Sequence, residues 1–72
     1  MKNGIKIEIM KMLFKTPMRV RDLASKLDES LQTVYVQLRI LQAGEIILKN
    51  GVYYNLDNFG LEIFNNFEDI NK

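Results

Sequence analysis

Apolar residues recur at helical spacing from the start of the chain. Ile5, Ile9, Met12 and Leu13 fall at i, i+4, i+7 and i+8, one face of a helix over 5–15. Ile7, Met10 and Phe14 form a second stripe on the same helix, so it is apolar on more than the side a small domain can cover. Thr16-Pro17 ends it, because the residue before a proline is pushed out of the α region, and 18–20 then run briefly extended. Leu23, Ala24 and Leu27 give a short second helix over 21–27. Asp28-Glu29 is the turn, since Asp28 tolerates the left-handed conformation a tight helix exit needs. Ser30 is the N-cap of a third helix over 31–43, its hydroxyl placed to accept from the amide of Thr33. Along that helix Leu31, Val34, Leu38 and Leu41 face inward, and Gly44 supplies the stop.

The pattern then changes to two β-rich runs, 45–48 and 52–56, joined by Lys49-Asn50-Gly51. Asn-Gly between such runs predicts a hairpin with both residues at positive φ in a type I′ turn. Alternation puts Val52, Tyr54 and Leu56 on one face of the second strand and Tyr53 and Asn55 on the other. Asp57-Asn58 caps a fourth helix in which Phe59, Ile63, Phe67 and Ile70 recur at i, i+4, i+8 and i+11, flanked by Leu61 and Phe64. The expected fold class is α+β, mainly α. It has a three-helix core, a hairpin of two or three strands and an additional C-terminal helix.

Seventy-two residues, 47% hydrophobic and 26% charged, suit one folded domain over 1–72. No apolar run approaches a membrane span, and the N-terminus lacks the apolar block of a signal peptide, which makes the cytoplasm the default compartment. The absence of Cys and His removes disulfides, thiolate and imidazole chemistry and the usual zinc, copper or haem ligands. No glycine-rich phosphate loop organises what remains, so neither catalytic residues nor a cofactor is expected.

The net charge of +1 conceals an asymmetry. Residues 1–26 hold seven Lys and Arg against two carboxylates, and 27–72 hold three against seven, giving +5 and −4. A basic half permits a nucleic-acid-facing surface, although charges scattered over a solvated face would give the same tally.

Two short helices joined by a tight turn, with a hairpin directly behind, form the arrangement of a helix-turn-helix (about 20–43) and its wing (45–56), with the further helix over about 58–70. The stretch VRDLASKLDESLQTVYVQLRILQAGEIILKNGVYYNL, 20–56, resembles the winged helix-turn-helix of small prokaryotic repressors, ArsR-like or MarR-like. Archaeal and viral proteins of similar size look alike, and the richness in Ile, Lys and Asn fits an AT-rich genome. Leu23-Ala24, Val34, Gln37-Leu38, Leu41, Ala43-Gly44 and the Tyr53-Tyr54-Asn55-Leu56 exit carry the resemblance. The chain departs from the pattern at Asp28, where glycine is commoner, at Glu29, where an apolar residue is, and at outward Tyr35 and Val36. The metal clusters of the sensing branch need Cys or His and do not carry over.

Helical steps of about 100° place Gln32, Val36, Arg39 and Ala43 opposite the buried face of the third helix, flanked by Tyr35, Thr33 and Ile40. Gln32, Thr33, Tyr35, Val36 and Arg39 are therefore the candidate DNA readers. Arg19, Arg21 and Lys26 around the second helix and Lys49 at the wing tip are the candidate phosphate contacts. The surplus apolar faces, Ile7, Met10, Phe14, Phe59, Ile63, Phe64, Phe67 and Ile70, predict a homodimer. In the resembling family the first and last helices form that contact. The alternative folds the last helix back on its own core.

The expected function is a double-stranded-DNA-binding transcriptional regulator, a repressor acting by promoter occupation, with no small-molecule ligand identified. The rival is a winged helix used for protein-protein interaction, with Tyr35, Val36 and Ile40 as its contacts.

Overall fold

A computed structural model describes residues 4–70, with side chains through 66, and the elements run α1 (Ile5–Lys15), α2 (Val20–Leu27), α3 (Leu31–Ala43), β1 (Ile47–Asn50), β2 (Tyr53–Leu56) and α4 (Asn58–Ile70). Four helices and an antiparallel two-strand hairpin make a mainly helical α+β fold, the winged helix. No helix among the described residues is long and apolar enough to cross a membrane.

Thr16 leaves α1 in an extended conformation, as Pro17 requires, and Met18 then exchanges backbone hydrogen bonds with Tyr54 at 2.8 and 3.2 Å. This single bridge is all that forms of a third strand. One core joins Ile9, Met10 and Leu13 of α1, Leu23 and Ala24 of α2, Val34, Leu38 and Leu41 of α3, Ile47, Tyr54 and Leu56 of the hairpin, and Phe64 of α4.

Both exits around α3 use non-glycine residues. Asp28 (φ 56°) ends α2, with Glu29 N–H donating to Ala24 O and Asp28 N–H to Ser25 O. Glu45 (φ 58°) ends α3 with the equivalent pair, Ile46 N–H to Leu41 O and Glu45 N–H to Gln42 O. The left-handed residue after α3 is thus Glu45, one position beyond Gly44, whose φ is −86°.

Three sequence expectations need correction. The strands sit two residues later at the first run and one later at the second, pairing Ile47 with Leu56 and Asn50 with Tyr53. The loop is therefore Gly51-Val52, with positive φ at Gly51 alone, which excludes the type I′ turn built on Asn50-Gly51. Leu31 lies on the inward angular side of α3 but stays 50% exposed, because the first turn of the helix projects past the core. In α4 the inward residues are Gly60 and Phe64, while Phe59, which heads the apolar stripe, is exposed. The final helix packs on α1 and β2 of its own chain, with Phe64 stacked on Phe14 at 4.6 Å between ring centroids and 25° between planes.

Candidate nucleic-acid interface

The position of α3 follows from its two ends and its inner stripe. At the start, Ser30 Oγ accepts from Thr33 N–H at 3.1 Å and donates to Thr33 Oγ1 at 3.0 Å. Inside, Val34, Leu38 and Leu41 are almost wholly buried against neighbouring α1, α2 and β1. Fixing that face turns Gln32, Tyr35, Val36, Arg39 and Ile40 outward, all of them exposed, while Thr33 is half-buried at the edge. Gln37, on the other edge, has a buried Oε1 without a hydrogen-bond partner among the described residues.

Arg19, Arg21, Tyr35, Lys49 and Tyr54, with two valines, line a groove of about 270 Å³. The groove unites residues from α2, α3 and the hairpin that are up to 35 positions apart in the chain. Lys49 lies directly across from Tyr54 in the hairpin register, with Nζ 5.8 Å from the ring centroid. Tyr54 was not among the candidate DNA contacts read from the sequence. Strand alternation marked it as inward, but only the shifted register makes Lys49 its cross-strand partner.

Arg19 enters the groove already engaged. Its Nε donates to Asp22 Oδ2 at 3.1 Å and its Nη2 to Oδ1 at 3.3 Å, while its backbone N–H donates to the same carboxylate. A guanidinium has only donors, so the helix start is capped from one side, by Asp22 at N3. The hydrogen bond holds Asp22 below the usual carboxylate range and raises Arg19 further. The i, i+3 spacing of the pair was the sequence signal for this contact. Arg21 is exposed beside the same groove. Lys26 is not brought there: it lines a separate groove with Glu8 and Glu29, between α1 and the end of α2.

Of the residues expected at a subunit contact, Met10 and Phe64 are buried in the chain's own core, which removes them from the accessible surface. Phe14 and Phe59 are exposed, and Ile7 and Ile63 half-buried. Phe67 and Ile70 lie outside the described side chains.

The family model for bacterial regulatory protein, arsR family, matches residues 3–49, well over half of the chain and the whole of the helix-turn-helix. The chain belongs to the arsR family. No curated protein matches it. As an arsR-family domain it is a DNA-binding transcriptional regulator. The match ends inside β1, so the second strand and α4 lie beyond it.

Proposed function

We propose that this arsR-family chain binds double-stranded DNA sequence-specifically and regulates transcription by occupying a promoter, as a repressor. In this reading α3 enters the major groove, and Lys49 of the wing contacts flanking backbone or minor groove. The observation that supports it is the convergence of Arg19, Arg21, Tyr35 and Lys49 on one groove beside the exposed face of α3. Gln32, Tyr35 and Val36 meet base edges, with Thr33 at the rim. Arg21, Arg39 and Lys49 meet phosphates, and Arg19 contributes less because Asp22 already offsets its charge. A cytoplasmic site of action follows from the target.

The chain acts as a homodimer through α1 and α4, with exposed Phe14 and Phe59 and half-buried Ile7 and Ile63 at the contact. Two recognition helices about one helical turn of DNA apart, about 34 Å, then require a pseudo-palindromic site. Sedimentation at micromolar concentration checks the dimer, and a monomer there removes the palindrome.

Fluorescence anisotropy on random-sequence duplex at two salt concentrations tests DNA binding itself. Three released counterions per protomer, for Arg21, Arg39 and Lys49, correspond to a roughly 40-fold loss of affinity between about 50 and 200 mM salt. Exposed Tyr35, Val36 and Ile40 favour one rival, a protein-binding surface, which is nearly indifferent to salt. Failure to bind duplex at about 50 mM salt decides for that rival.

A further inference from the structure

Each base edge in the major groove has a chemical complement. A carboxylate accepts from cytosine N4, a guanidinium or ammonium donates to guanine, a carboxamide pairs with adenine, and an apolar group covers the thymine methyl. Helix α3 contains no carboxylate along its whole length, so it carries no complement to cytosine. Its only cation is Arg39. Gln32, Val36 and Ile40 follow one another at i, i+4 and i+8 and form a continuous outward row with an amide at its N-terminal end. Val36 is 43% and Ile40 49% exposed, β-branched side chains that water does not favour on a protruding helix. Beside the row, Thr33 carries a methyl as well as a hydroxyl whose oxygen accepts from Ser30 Oγ.

We propose that α3 selects A·T-rich duplex, with Val36 and Ile40 covering thymine 5-methyl groups and Gln32 pairing with adenine. The proposal rests on α3 being the reading helix and names what it reads. The nearby cations Arg21, Arg39 and Lys49 supply the phosphate contacts that hold this row against a duplex, which sets the occupant apart from an apolar protein surface.

The test measures affinity by fluorescence anisotropy at one salt concentration on three equal-length duplexes: A·T only, the same with uracil replacing every thymine, and G·C only. Uracil lacks nothing but the major-groove methyl, so hydrogen bonding and minor-groove contacts are retained. The A·T duplex is expected to bind about a hundredfold more tightly than G·C, from one adenine pairing and two covered methyl groups. Uracil replacement is expected to weaken binding about fourfold per covered methyl. Val36→Ser, on an exposed position whose fold is checked by circular dichroism, shrinks the uracil effect. Equal affinity for all three duplexes overturns the proposal and leaves DNA binding standing. An A·T affinity that uracil replacement leaves unchanged shows that Val36 and Ile40 cover no methyl group, and overturns the proposal too. Binding to none of them at low salt removes the reading of α3 as a DNA-contacting helix altogether.

Discussion

Helices α3 and α4 are each thirteen residues long and each carry apolar residues at helical spacing. α3 buries Val34, Leu38 and Leu41 of its stripe, whereas in α4, among the described side chains, Phe59 is exposed and Ile63 half-buried. The difference lies in what surrounds them. α3 is held between α1, α2 and β1, so several neighbours impose the same inward direction as the 3.6-residue period. α4 rests on α1 and β2, and its orientation follows from two local contacts. Gly60 lies against the Ile46 carbonyl, where a Cβ would collide, and Phe64 stacks on Phe14. Periodicity therefore names the buried side of an enclosed helix and only the amphipathic character of one that leans. The same contrast separates the two exposed apolar surfaces. Tyr35 lines a groove with Arg19, Arg21 and Lys49, whereas Phe14 and Phe59 belong to the α1 and α4 side of the molecule.

Substitutions that respect this contrast should differ most in the stripes themselves. Leu38→Ala, at a wholly buried site, is expected to cost about 2–5 kcal/mol of unfolding free energy in urea, because the surrounding elements cannot collapse on the cavity. Phe59→Ala, on the nominal stripe of α4, should stay within about 0.5 kcal/mol at protein concentrations low enough to keep the protomer monomeric, and a comparable loss there would show that the helix is enclosed after all.

A smaller effect is expected at two glycines. Gly60→Ala sets a helix-propensity gain of up to about 1 kcal/mol against a backbone collision that no side-chain rotation relieves. The collision wins, for a net loss of about 1–3 kcal/mol accompanied by exposure of Phe64. Gly44→Ala meets only Ile46 Cδ1 at 3.5 Å with φ already negative, so it should be neutral or stabilise by a few tenths of a kcal/mol in the same urea titration. If the two substitutions behave alike, the close approach of α4 to Ile46 is not what places it.

The smallest expected effect concerns Asp22. Its carboxylate is held below the usual range by the Arg19 hydrogen bond, so its contribution is present above the ordinary aspartate range and lost as pH falls through the lowered value. Asp22→Asn should lower Tm slightly near neutrality and leave it unchanged at strongly acid pH, which flattens the acid limb of a plot of Tm against pH. An unaltered acid limb would place the acid sensitivity in other carboxylates.

Most of the helix-turn-helix was legible in the sequence because local chemistry and tertiary packing agree there. Thr16-Pro17 stops α1, Ser30 caps α3, Asp28 adopts the left-handed exit, and Val34, Leu38 and Leu41 are buried. The wing was misplaced because Asn50-Gly51 is a strong local hairpin signal, whereas the register is set by the burial of Ile47, Tyr54 and Leu56. That shift also hid the Lys49 and Tyr54 pair. The loss of Lys26 from the candidate set has a different origin. Its position on α2 was correct, but sequence alone does not say that this end of the helix faces α1 while Arg19 and Arg21 face the hairpin.

Which of the two apolar surfaces meets DNA is decided most directly by backbone amide shifts in a 1H-15N correlation spectrum as duplex is added at low salt. The largest changes should fall on Gln32, Tyr35, Val36, Arg39 and Ile40 and on Arg21 and Lys49 at the groove. Changes concentrated on Phe14, Phe59 and Ile63 with α3 unmoved would contradict the assignment of α3 as the reading helix.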